Sequence, residues 1–357
     1  MLAEFSVKNY GPFKEEAVLS MAPWHHDRKK PETLLLSNVR RPKHLLKTAI
    51  IYGANLTGKS ILLEALSLLI DSSLDKEIAW SSYPVCRDRQ PTLLEMVVIL
   101  DSVPLLYQVE ITPFPRSCKP CKVVKRLSVG DQTLSDKGWK LIGHKENDKI
   151  LLDKPLSPSK QHVGENKWMV GVNWFVVNRK TQSGILTMEE TDWKNDKKRR
   201  KNLVTLCQKA DLPIPKDFVS YCENSGLFGF LETVDHGLKE GINLVVDDLD
   251  LGLHPILTRY LLHLYNSEET NPHGTQLVCS VHDASLLMPL PGPHVPVRRD
   301  QVWFVDIPLP KPRDATLISL HDFKKDKWDK KHPWKYVAQD YLTGAFGVIP
   351  FVDIDSM

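Results

Sequence analysis

Eight residues constrain this chain more than any other stretch: Gly53-Ala54-Asn55-Leu56-Thr57-Gly58-Lys59-Ser60. Their spacing is G-x-x-x-x-G-K-[ST], that of a loop that cradles phosphate groups. The apolar run Ala49–Tyr52 before it predicts a short buried strand, and Ile61–Leu66 after it predicts a helix. Gly53 and Gly58 permit a tight turn that aims backbone N–H groups at phosphate oxygens. The start of the helix adds unpaired N–H groups and the positive end of its dipole. In such a loop Ala54, Asn55, Leu56 and Thr57 line the phosphates, Lys59 reaches the outer two, and Ser60 offers a hydroxyl to Mg²⁺. A glycine turn that enters a helix by chance is the competing reading. The strand before it and the helix after it favour a nucleotide site.

With 357 residues the chain can form one large domain or two ordinary ones. A formal charge of +3 is too small to imply nucleic acid on its own. No run of 18 apolar residues predicts a membrane span. The first residues, MLAEFSVKNYGPF, lack a basic head followed by an apolar core, so a cytoplasmic location and reduced thiols are expected. Cys118-Lys119-Pro120-Cys121 has no second ligand pair at zinc spacing and reads as a loop between strands.

Residues 2–8 alternate like a strand with one buried face, Asn9–Phe13 signals a turn, and Ala17–Met21 resumes a strand. The turn of this hairpin has two open roles, packing near a nucleotide base or support alone. Strands at Leu93–Leu100, Leu105–Ile111 and Val123–Leu127 suggest an antiparallel sheet. Periodicity then weakens from about residue 138 to 201. The basic run 196–201 there reads as a solvated helix end rather than a phosphate-backbone contact. Order returns with a helix over Leu227–Leu238 that Gly241 closes, and with the strand Ile242–Val246 that ends in Asp247-Asp248. A helix opens at Pro255, Leu277–Val281 forms a strand that leads to His282, and Gln301–Val305 forms another.

Strands with chemical side chains at their C-terminal ends, separated by helices, describe an α/β sheet that binds ligands beyond those ends. Asp247 then stands where such sheets hold Mg²⁺, Asp248 where a general base orients water, and His282 where a side chain contacts the γ-phosphate.

The order GANLTGKS, ENSG, LVVDDLDLGLHP, QLVCSVHDASLL resembles ABC-type ATPase heads of the SMC and recombination-repair kind. FSVKNYGPFKE, RRDQVWFVD and YLTGAFGVIP further resemble bacterial ATP-binding proteins of abortive-infection and anti-phage systems. The resemblance implies an α/β P-loop NTPase: one head with a mixed sheet, an N-terminal antiparallel β-subdomain and a short helical insertion. Its parts would be an N-terminal lobe over 1–135, an inserted segment over 136–205 and a C-terminal lobe over 206–357. It also implies ATP and Mg²⁺ as ligands, with Ser60 and Asp247 at the metal and Lys59, Asp248 and His282 as catalytic groups. Ser225 and Gly226 match the signature loop that caps a γ-phosphate held by another copy. Asp248 replaces the family's usual glutamate, and the shorter side chain is expected to slow hydrolysis.

The implied activity is an ATPase switch in anti-phage defence, a homo-oligomer joined by ATP-dependent head contacts that controls a separate effector protein such as a nuclease or toxin. Two alternatives stand beside it. A relative of the overcoming-lysogenisation-defect nucleases would need a Toprim domain, and the Asp248-Leu249-Asp250 triplet is already committed to the ATP site. A DNA-associated repair or SMC-like head would need a basic face and a coiled coil, and no sustained heptads occur. Nucleic acid stays open as a partner.

Overall fold

The structure is a computed structural model that describes residues 1–24, 33–114, 120–131, 139–146, 149–151, 174–178, 201, 204–205, 208, 226–288, 297–308, 314–323 and 336–346. The chain opens with the expected hairpin of β1 (Leu2–Lys8) and β2 (Ala17–Ser20). The single buried face expected of β1 is too narrow. Glu4 and Lys8 alone are exposed, because both neighbours of β1 and the core behind it cover the rest. A small hairpin, β3 (Leu34–Leu36) and β4 (His44–Leu46), leads into β5 (Thr48–Tyr52), the strand before the phosphate loop. Helix α1 (Lys59–Ser73) follows the loop.

Next come β6 (Thr92–Leu100), β7 (Val103–Pro113) and β8 (Pro120–Val129), close to the predicted bounds. Cys121 lies within β8, and Cys118 lies outside the described residues. The insertion over 136–205 differs from expectation. Among its described residues are three strands, β9 (Lys140–Glu146), β10 (Lys149–Leu151) and β11 (Trp174–Asn178), while Lys201, Val204 and Thr205 are helical. The short helical insertion is thus largely strand where it is described. Strand β11 is a short apolar run of strand formers, Trp-Phe-Val-Val, inside a stretch whose periodicity is otherwise weak. Residues 196–200 of the basic run lie outside the described residues.

The remaining elements are α2 (Gly226–Glu240), β12 (Asn243–Asp247), α3 (Pro255–Asn266), β13 (Leu277–Ser280), β14 (Val302–Asp306), β15 (Thr316–Ser319) and α4 (Val337–Leu342). Gly241 ends α2 at φ +72°, and Pro255 opens α3, both as the sequence predicts.

Two sheets result. Seven antiparallel strands run β10-β9-β8-β7-β6-β1-β2. Six run β11-β12-β13-β5-β14-β15, parallel except for β15. Alternation along β5 divides the interior. Ala49 and Ile51 face one core, and Ile50 and Tyr52 face the other. Val245 and Val278 join the first, while Leu244, Val246, Leu277 and Cys279 join the second. Strands buried on both faces must be apolar throughout, so they read as continuous runs rather than as alternation.

Helix α1 fills the space between the sheets. Its Leu62, Leu66 and Leu69 share the first core with Phe5, Met96 and Tyr107 of the antiparallel sheet. Helices α2, α3 and α4 contribute to the second core. Among the described residues no helix is long and apolar enough to cross a membrane.

Candidate nucleotide site

The parallel strands all end on one side, and their register aligns those ends. Val246 pairs with Cys279, Cys279 with Ile50, and Ile50 with Val302. One strand, β13, separates β12 from β5, so Asp247 and the phosphate loop stand about two strand spacings, roughly 10 Å, apart.

The loop is compact. Lys59 is 5% exposed, and its ammonium donates to the carbonyls of Gly53 (2.7 Å) and Ala54 (2.9 Å). Thr57 Oγ1 donates to the Ala54 carbonyl at 2.9 Å. Leu56 projects from the tip, 98% exposed. Gly58 adopts φ +113°, and a Cβ there would lie 2.7 Å from Pro12 Cγ and 3.3 Å from the Phe13 ring. The β1–β2 turn therefore packs against the loop, and support is the role visible for it. Asn9 holds that turn in place by donating to the carbonyls of Arg87, Gln90 and Pro91. Tyr10 adds a hydrogen bond to Glu64 on α1 at 2.6 Å.

Ser60 is exposed at the start of α1. A cavity of about 310 Å³ is lined by both Ser60 and Asp247, together with Glu64, Ser67 and Tyr83. Strand β12 brings Asp247 to the sheet end buried, and Asp248 follows at φ +55°, outside the strand. Aspartate tolerates that left-handed conformation better than longer side chains, a local reason for its occurrence here.

Ser280, at the end of β13, links the two carboxylates. Its hydroxyl donates to Asp247 Oδ1 and accepts from the Asp248 N–H, both at 2.7 Å. His282 Nε2 lies 3.1 Å from Asp248 Oδ1, with the donor set by the tautomer. Asp250 Oδ2 accepts from the backbone N–H of His282 (2.8 Å) and of Asp283 (2.7 Å), which fixes the turn that carries the histidine.

Asp247, Asp248 and His282 thus meet in one network, and Ser60 shares a cavity with Asp247. Gly53 to Ser60 form the loop. Gly226 is the first residue of α2, and Ser225 lies outside the described residues.

Two contributors have no role of their own in the sequence reading. Ser280 is signalled by a hydroxyl at the end of an apolar strand, and Asp250 by the third carboxylate of Asp247-Asp248-Leu249-Asp250. In backbone register, β11 pairs Asn178 with Asp247.

The donor chemistry suits Mg²⁺. Among the described residues no group of three or more His, Cys, Asp and Glu side chains could hold a metal by itself. A hydroxyl and a carboxylate on one cavity are what Mg²⁺ takes when phosphates and water complete its shell.

Replacing Ser280 with alanine is expected to leave the Asp248 amide and Asp247 with one partner fewer in a buried place. The cost is about 1–3 kcal/mol, measurable as a lower urea midpoint at unchanged slope. An unaltered midpoint would show that the Ser280 bridge carries no stability.

No family model matches the chain, and no curated protein matches it in sequence. Among solved structures it is similar to the SMC head bound to the C-winged helix domain of ScpA, with 11% identity and a TM-score of 0.42. The match spans 89% of this chain and 97% of that one. At that distance, the site rests on its own residues.

Proposed function

We propose that this chain binds ATP with Mg²⁺ and hydrolyses it slowly, and that the binding state controls contact between copies. The observation that carries the reading is a cavity lined by both Asp247 and Ser60, the residue that follows the buried Lys59 of the loop. Lys59 exchanges its two loop carbonyls for phosphate oxygens, and the amides of the loop and of the first turn of α1 take the remaining charge. Ser60 and Asp247 would hold the metal, which would supply neutralisation of phosphate charge. Asp248 takes the proton of the attacking water, and His282 orients that carboxylate through its 3.1 Å contact. Asp250 keeps His282 at the required place by its two backbone contacts.

Two copies closing face to face would bury exposed apolar residues on this end of the sheet. Leu56 is at the loop tip, and Leu251, 42% exposed, is on the turn after β12. In that closed state Ser225 and Gly226 of one copy cap the phosphate held by the other, so ATP binds the closed form better than the open one. By resemblance alone, the switch belongs to a cytoplasmic bacterial anti-phage system and controls a separate effector.

Asp248→Asn tests the division of roles. It is expected to keep ATP affinity within about threefold while turnover falls about 100-fold or more, the ordinary contribution of a general base. Light scattering should then show an ATP-dependent dimer that persists. Turnover at the wild-type rate would remove Asp248 from the mechanism.

A further inference from the structure

The parallel sheet places β12 and β13 on one side of β5 and β14 and β15 on the other. The phosphate loop thus has a second flank, which carries none of Asp247, Asp248 and His282. On that flank three connections of the chain meet at the guanidinium of Arg87. It pairs with Asp314, just before β15, at 3.0 Å. The same nitrogen faces the carbonyls of Gly11 (3.4 Å) and Pro12 (3.3 Å) in the β1–β2 turn. Two backbone bonds close the junction. The Gly11 N–H donates to the Pro84 carbonyl and the Ala315 N–H to the Pro12 carbonyl, both at 2.8 Å.

The segment that carries Arg87 is held in an unfavourable shape. Cys86, Asp88 and Arg89 have φ of +58°, +54° and +59°, and none is glycine. Left-handed backbone is costly for such residues and persists where the surroundings over-determine it. Asn9 supplies part of that constraint by donating to the Arg87 carbonyl at 2.9 Å. Asp314 supplies the charge. Its Oδ1 is buried and makes no hydrogen bond among the described residues, so the ion pair with Arg87 is what offsets its desolvation.

The junction holds the turn that touches the loop. A Cβ on Gly11 would lie 2.7 Å from Ile61 Cγ2 in the first turn of α1, and one on Gly58 at the same distance from Pro12 Cγ. Both glycines have positive φ, and at both the neighbour leaves no room for a side chain. A shift of the turn is therefore passed to Gly58 and to the start of α1, whose amides receive phosphate in the reading above.

We infer that Arg87, through its ion pair with Asp314, is a positioning residue of the nucleotide site: it clamps the β1–β2 turn against Gly58 and the first turn of α1, and so sets how tightly the loop binds a triphosphate. The inference deepens the ATP reading and rests on it. Its effect falls on affinity rather than on proton transfer, because Asp248 and His282 lie across β5 on the other flank.

Arg87→Met keeps the apolar stem and removes the charged fork, and Asp314→Asn removes the charge and keeps the shape. The second variant carries the test if the carboxylate left unpaired by the first unfolds the chain. Arg126→Met is the control. Arg126 pairs with Glu110 at 2.7 Å and is as exposed as Arg87, 35% for each side chain, but it lies between β7 and β8 of the antiparallel sheet. Residue-resolved hydrogen exchange of the full chain, without nucleotide, should show the Gly11 and Ala315 amides about 3- to 10-fold faster in Arg87→Met, the span of one net hydrogen bond. Asp314→Asn should act in the same direction, and the control should leave both amides unchanged. Calorimetric titration with ATP and Mg²⁺ should give a Kd raised about 3- to 10-fold in both variants, with kcat within about twofold of wild type. The double variant should bind no worse than Arg87→Met alone, because the two residues act through one contact. Variants that bind ATP like the wild type, or that lose kcat at unchanged affinity, overturn the inference while the nucleotide reading stands. An equal loss in Arg126→Met overturns it too. If the wild-type chain binds no ATP, the nucleotide reading itself fails and the positioning role falls with it.

Discussion

Lys59→Ala should weaken ATP binding at least about 100-fold while leaving the chain folded. Hydrogen bonds to charged groups contribute about 1.5–3 kcal/mol each. An ammonium shared by two phosphates therefore accounts for at least about 3 kcal/mol, and 1.4 kcal/mol corresponds to a factor of ten. In the structure the same ammonium satisfies the carbonyls of Gly53 and Ala54, so truncation also loosens the loop locally. The cores are untouched by the change, since the hydrophobic clusters on either side of the parallel sheet do not include Lys59. Thermal melting by circular dichroism should show a shift of a few degrees at most, and titration with ATP the large loss. Affinity equal to wild type would mean that Lys59 does not contact phosphate.

Gly53→Ala should damage both stability and binding. An added Cβ would lie 2.5 Å from the Val305 carbonyl oxygen and 2.8 Å from Thr57 Oγ1. Val305 cannot retreat freely, because β14 is paired with β5 along Val302, Trp303 and Phe304. Thr57 is held by the Ala54 carbonyl. Overpacking of this kind costs about 1–3 kcal/mol, and the shift falls on the loop backbone that must present its amides to phosphate. Gly241→Ala separates crowding from backbone conformation. Gly241 also has positive φ, +72°, but its nearest neighbour to a new Cβ is His273 Cβ at 3.5 Å, an ordinary contact. That variant should lose about 1–2 kcal/mol through the left-handed conformation alone and keep its nucleotide affinity. If Gly53→Ala matches Gly241→Ala in both respects, the close approach of Val305 has no consequence.

The parts of the fold legible in the sequence are those in which local pattern and final environment agree. The runs before Gly53, before Asp247 and before His282 are apolar because both faces of those strands are covered. The loop between Gly53 and Ser60 is legible because few sequences satisfy its backbone demands. What stays hidden depends on pairing between distant segments. Trp174-Phe175-Val176-Val177 is a short apolar run of strand formers inside a stretch without periodicity, and only its pairing with β12 shows that it carries Asn178 level with Asp247. Lys140–Glu146 joins the antiparallel sheet by a register with β8 that contains an irregularity between Leu127 and Ser128. The supporting contacts of the site were equally hidden. Ser280 and Asp250 act through main-chain atoms or neighbouring carboxylates, and no spacing rule announces such partners.

The most direct measurement is calorimetric titration of the wild-type chain with ATP in the presence of Mg²⁺, with Lys59→Ala and Asp247→Asn titrated alongside. Saturable heat from one site per chain is expected for the wild type, nearly abolished in Lys59→Ala and reduced in Asp247→Asn chiefly when Mg²⁺ is present. A wild-type titration without heat at several temperatures, or one that all three chains share, would contradict a triphosphate site at Gly53–Ser60.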